Sequence, residues 1–150
     1  MFPAVFEAEV IAFDLHGVID HNPRFFKPLL KLLQDAGRTV VIVSGPQEEQ
    51  VQNELAALRI VRTHHFDEIY SIVDSLQSYK VEMWQDNKGT WWANDEDWWM
   101  SKGKICRDIG ADVMIDDHIE FKEGFPDGHP TKFILFSHYW KEFFNTITGR

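Results

Sequence analysis

A chain of 150 residues, 44% hydrophobic and 26% charged, is long enough for one domain with a real core and too short for two. A net charge of −9 argues against nucleic acid as a partner, because most of the surface repels a phosphate backbone. The lone cysteine, Cys106, excludes an internal disulfide, and no apolar run approaches the roughly 20 residues that span a bilayer.

The first ten residues contain Glu7 and Glu9 and no basic stretch, so they do not read as a signal peptide. These features predict a cytoplasmic protein with no membrane partner.

In chain order, residues 10–13 are apolar and end at Asp14, the pattern of a buried strand. Asn22 and Pro23 suit the N-cap and first position of a helix that Gly37 closes. Phe26, Leu29, Leu30 and Leu33 fall on one face of it, while Pro28 predicts that regular helix begins only near Lys27. Residues 39–43 are β-branched and apolar, a second buried strand. Ser44-Gly45-Pro46 ends that strand and opens a helix carrying Val51, Leu55 and Leu58; residues 68–72 form a third strand.

Residues 78–101 have no clear period and hold Trp84, Trp91, Trp92, Trp98 and Trp99. Asn87-Lys88-Gly89 predicts a hairpin between 81–85 and 90–93, and the segment reads as an insertion or flap, with Asp95-Glu96-Asp97 a solvated turn. Next come a short helix over 102–109 stopped by Gly110, a buried strand over 113–115 ending in Asp116-Asp117, a last strand over 132–136 and an amphipathic helix over 139–147. Cys106 is expected to be a buried structural thiol.

Such alternation predicts a single domain over 1–150 of α/β class, a Rossmann-like three-layer sandwich around a mostly parallel sheet. In such folds ligands sit beyond the carboxyl ends of the strands, where Asp14, Ser44 and Asp117 stand.

Four stretches carry the chemistry: Ile11-Ala12-Phe13-Asp14-Leu15-His16-Gly17-Val18-Ile19-Asp20, Val40-Val41-Ile42-Val43-Ser44-Gly45, Ser101-Lys102-Gly103-Lys104 and Ala111-Asp112-Val113-Met114-Ile115-Asp116-Asp117. Their order and spacing resemble the four motifs of the haloacid-dehalogenase-like (HAD-like) hydrolase superfamily. The resemblance covers about residues 9–136, apart from 78–99. Asp14, Gly17, Val18 and Asp20 match the first motif, and His16 stands where that motif usually has a second Asp.

The resemblance implies a magnesium-dependent phosphohydrolase that acts on a small phosphorylated molecule through an aspartyl phosphate. Asp14 would be nucleophile and metal ligand. His16 would be acid and base and lend its carbonyl to the metal. Ser44, Gly45 and Lys102 would hold the phosphate, with Lys102 fitting the register better than Lys104. Asp117 would bind Mg2+ directly, Asp116 through water, and Glu120 would support them.

Elementary chemistry agrees at several points. Adjacent carboxylates repel unless a cation lies between them, magnesium suits oxygen ligands, and Gly17 permits a sharp turn. An imidazole titrates at about 6.5, which suits proton transfer. The departure at His16 also implies an alternative, a catalytically impaired binding or regulatory protein on the same scaffold.

Other readings of the residues stand beside these. Ser44 is also a favoured N-cap for the helix after Pro46. Asp14, His16, Asp20, His21 and His118 are an alternative ligand set for a transition metal. The tryptophans either fill a satellite core or stack on a flat substrate.

Overall fold

The computed structural model describes residues 2–148. A short helix, α1 (Phe2–Glu7), precedes β1 (Val10–Phe13), and the chain then makes one wide turn, Leu15–Ile19. Helix α2 (Pro23–Asp35) starts on Asn22, whose side-chain oxygen accepts from the Phe25 N–H at 3.2 Å. It therefore begins before Lys27, contrary to the expectation drawn from Pro28. Arg24 and Pro28 both lie on the exposed face, so the carbonyl that loses its helical donor stands on the water side.

There follow β2 (Thr39–Ser44), α3 (Glu48–Ala57), β3 (Glu68–Ser71) and α4 (Ile72–Ser78). The sequence reading had no helix at α4; the Ser71 side chain caps it, accepting from the Asp74 N–H at 3.1 Å. The hairpin strands β4 (Met83–Gln85) and β5 (Trp91–Ala93) form a separate antiparallel sheet. Helix α5 (Asp95–Ile109) begins at Asp95 and not near Lys102, so Asp95-Glu96-Asp97, solvated as expected, is the acidic first turn of a helix and not part of a loop. Asn94 caps that turn by accepting from the Asp97 N–H at 2.9 Å, and the three acids complement the positive end of the helix. Strand β6 (Val113–Asp116), a tight helical turn (Ile119–Gly124), β7 (Lys132–Leu135) and α6 (Phe136–Thr148) complete the chain.

The main sheet is five-stranded and all parallel, in the order β3-β2-β1-β6-β7. Its strands bury alternate residues on two faces. Ile11, Phe13, Ile42, Val113 and Ile115 meet α2, α3 and α6 residues such as Leu30, Leu55 and Tyr139. Ala12, Val41, Val43 and Met114 meet Leu76 of α4, Cys106 of α5 and Phe121 of the turn after β6. This is an α/β three-layer architecture of Rossmann-like type.

From β1 the chain steps outward through β2 to β3, then resumes on the other side of β1 with β6. That reversal opens a crevice beyond the carboxyl ends of β1 and β6. Among the described residues no helix is long and apolar enough to cross a membrane.

Candidate functional site

Asp14 leaves β1 in extended conformation, and its backbone N–H donates to the Ile115 carbonyl of β6 at 3.0 Å. Its side chain accepts from the Leu15 N–H at 2.9 Å, which fixes the carboxylate at the mouth of the crevice. Two residues later Gly17 adopts φ +81°, and a Cβ there would lie 2.0 Å from Asp117 Oδ2. Only glycine lets this turn approach the second acidic segment so closely. Asp20 braces the turn, its Oδ1 accepting from the Gly17 N–H at 2.7 Å.

From the other side, Asp116 ends β6 fully buried, with Asp117 after it. The Lys102 ammonium lies between the two strand ends, 2.5 Å from Asp116 Oδ2 and 3.1 Å from Asp14 Oδ1. Lys102 is only 1% exposed, and the Phe121 ring covers it at 4.3 Å. Close packing delivers it: a Cβ on Gly103 would sit 1.9 Å from the Gly124 carbonyl oxygen, so α5 presses directly on the turn after β6. Lys104 is exposed and borders a different hollow with Tyr79 and Asp108. The structure thus brings Lys102, and not Lys104, to the acids.

Carboxylate oxygens of Asp14, Asp116 and Asp117 all lie within 4.8 Å of one another. Burial raises the Asp14 carboxyl from 3.8 to about 7; Lys102 draws it back down, while Asp116 and Asp117 push it further up. Burial opposes a charge on Lys102, but Asp14 and Asp116 outweigh it and hold the ammonium above its ordinary value.

Three clustered acids against one ammonium, which pairs with Asp14 and Asp116, leave an excess of negative charge. Asp117 Oδ1 is buried without a hydrogen-bond partner among the described residues, although its side chain as a whole is 30% exposed. An all-oxygen donor set with this excess and an unused oxygen fits a hard divalent cation. Asp116 is turned onto Lys102, which leaves Asp14 and Asp117 as the acids able to face the ion.

Other expected ligands stand elsewhere. Glu120 points to His118, 3.7 Å from its Nδ1, and does not reach the acids. The His21 ring packs on Phe136 at 5.6 Å, and among the described residues no histidine joins the carboxylate cluster. Of the transition-metal set, His118 comes nearest, its Nε2 3.9 Å from Asp117 Oδ2, without joining the three-acid group.

Ser44 is the last residue of β2, fully buried, and its hydroxyl has no hydrogen-bond partner among the described residues. Helix α3 opens on Gln47, so Ser44 is not its N-cap, contrary to that reading. An orphaned hydroxyl at a strand end retains its full capacity to donate. Asp14, His16, Ser44, Gly45, Lys102 and Trp98 contribute to the lining of one cleft of about 210 Å3.

One participant was missed from the sequence, Glu54, and one tryptophan, Trp98, takes a specific place beside the site. Glu54 of α3 accepts or shares a proton with His16, Oε2 to Nε2 at 2.5 Å, although the pair are 38 residues apart. Trp98 covers Gly45 so closely that a Cβ there would meet its ring at 3.1 Å. Nothing in the sequence signals the first contact, because it depends on how α3 seats against the turn after β1.

No protein-family model and no curated protein matches the chain. Its fold is similar to the 1.44 Å crystal structure of an uncharacterized protein from Corynebacterium glutamicum ATCC 13032 Kitasato, with a TM-score of 0.54 and 15% identity over 93% of each chain. Likeness at that identity shows the fold and nothing finer: a parallel sheet between two layers of helices.

Proposed function

We propose that this chain is a magnesium-dependent HAD-like phosphohydrolase that cleaves a small phosphate monoester through an aspartyl phosphate on Asp14. The observation that carries the reading is the meeting of Asp14, Asp116 and Asp117, the first two held by the buried Lys102 ammonium, in a cleft that the unpartnered Ser44 also lines. Asp14, Asp117 and the His16 carbonyl would hold Mg2+, which when bound withdraws charge from the phosphoryl oxygens and allows two anions to approach.

The chain's own groups account for the rest. An Asp14 carboxylate oxygen attacks phosphorus as the bond to the leaving oxygen breaks. Protonated His16 gives its proton to that oxygen. Neutral His16 then takes a proton from water, which attacks the same phosphorus and breaks its bond to Asp14, releasing inorganic phosphate. Lys102 balances the Asp14 charge between turns of this cycle, and Ser44 donates to a phosphoryl oxygen. Glu54, tied to Nε2, orients the imidazole and leaves Nδ1 for the reacting oxygen.

Release of p-nitrophenol from p-nitrophenyl phosphate with Mg2+, its loss with chelator, and its loss in Asp14→Asn test this reading. Absence of turnover with that ester and with a broad panel of phosphate monoesters would overturn it and favour the alternative, a binding or regulatory protein on the same scaffold.

A further inference from the structure

Lys102 reaches Asp14 and Asp116 only while α5 stays pressed against the turn after β6, and the closest contact there is not itself adhesive. Gly103 and Gly124 meet backbone to backbone: the atoms nearest a Cβ on Gly103 are the oxygen, carbonyl carbon and Cα of Gly124. Two glycines bring no side chains to interlock, so the contact allows close approach without fastening it. The Trp99 ring packs on Phe121 at 4.8 Å, but apolar contact of this kind is non-directional.

The fastening comes from the loop before β7. His129 Nε2 lies 2.9 Å from the Gly103 carbonyl oxygen in the middle of α5, and its Nδ1 lies 2.9 Å from the Thr131 amide nitrogen. A backbone N–H only donates, so Nδ1 accepts from Thr131, the ring proton sits on Nε2, and Nε2 donates to Gly103. A helical carbonyl has a second lone pair for such a donor. Thr131 is itself buried, and its hydroxyl donates to the Ala111 carbonyl just before β6 at 2.6 Å. The Phe125 ring packs on the imidazole at 4.8 Å. Among the described residues, this is the hydrogen bond that joins α5 to the segment 119–131. His129 belongs neither to the carboxylate cluster nor to the lining of the Asp14 cleft, so its influence there passes through Lys102.

We infer that His129 is a positioning residue: its imidazole ties the carbonyl next to Lys102 to the loop before β7 and so holds the ammonium on Asp14 and Asp116. That the tie serves hydrolysis rests on the proposed phosphohydrolase reading; the tie itself does not.

Two conservative variants divide the imidazole between them. His129→Gln places an amide N–H near the Nε2 position and can still donate to Gly103, with no acceptor set for Thr131. His129→Asn places an oxygen near the Nδ1 position and keeps Thr131, but cannot reach Gly103. The probe is the 1H–15N resonance of the Lys102 ammonium in free protein with chelator, assigned by its nuclear Overhauser effect to the Phe121 ring 4.3 Å away. Exchange of its protons with water reports opening of the buried pair. Exchange should be roughly tenfold faster in His129→Asn, the factor one lost hydrogen bond supplies, and nearer to the parent in His129→Gln. The kcat/KM for p-nitrophenyl phosphate should fall in the same order. Parent-like exchange in His129→Asn, or fast exchange in His129→Gln or in the parent, would overturn the inference while turnover leaves the phosphohydrolase intact. If His129→Asn does not fold, slow exchange in His129→Gln carries the inference and fast exchange overturns it. The expected exchange pattern in a chain without turnover would keep the tie and overturn the catalytic reading.

Discussion

Replacing Lys102 by methionine removes the buried ammonium that holds Asp14 and Asp116 together, with little change in volume. Lys102 is 1% exposed and lies 3.1 and 2.5 Å from those carboxylates, so neither acid has water to take its place. Removing one partner of a buried ion pair typically costs about 3–5 kcal/mol, since the remaining charge is left uncompensated. For a domain of this size that corresponds to a fall in melting temperature of roughly 6–20 °C.

The loss should depend on pH. Burial lifts the folded Asp14 value to about 7, above its ordinary 3.8. A raised carboxyl contributes stability that is full below pH 3.8 and is lost as pH rises through 7. Without Lys102 the folded value rises further, and the penalty of the variant should be larger at pH 8 than at pH 5.5. Urea unfolding in chelator at both pH values measures it, and a double variant with Asp116→Asn should lose less than the two single losses added. A loss below about 1 kcal/mol at pH 8 would refute the charge-balance argument.

Gly17→Ala places a methyl 2.0 Å from Asp117 Oδ2 at φ +81°, so it should displace that acid and greatly weaken the thermal stabilisation that Mg2+ confers on the parent; an unchanged Mg2+-dependent shift would remove Asp117 from the metal site. His16→Ala should lower kcat by about 100-fold or more, and Glu54→Gln by a smaller factor with KM little changed; steady-state kinetics equal to the parent in both would exclude the imidazole as acid and base. A faster His16→Asp variant would show instead that the native imidazole limits hydrolysis. Burial pushes the Cys106 thiol from 9.0 up to about 12, so folded protein should be inert to Ellman's reagent at pH 8 and reactive once unfolded. Because the folded value is the raised one, this thiol's contribution to stability is full below pH 9 and lost between pH 9 and 12, which alkaline unfolding of Cys106→Ala would reveal.

The strands and their terminal acids were legible without coordinates, because a buried parallel strand announces itself by a short β-branched run and the residue after it is displayed at the crevice. Asp14, Ser44, Asp116 and Asp117 were found that way. Boundaries near tryptophans and prolines were not: α5 begins at Asp95 through an Asn94 cap, and α2 runs through Pro28 because that residue faces outward. Periodicity reports burial, and neither a cap nor a solvent-facing proline alters it enough to read.

What tertiary structure alone decided is which distant groups touch. Lys102 and Lys104 lie two apart on a helix, hence on opposite sides, and only the contact of Gly103 with Gly124 settles which side meets the acids. The tie between His16 and Glu54, the approach of Gly17 to Asp117 and the seat of Trp98 on Gly45 likewise exist only once separate elements are packed. Local sequence sets conformations of neighbouring residues over a few ångströms of chain, whereas an active centre is assembled from side chains that meet through space, and their distances are set by the packing between layers.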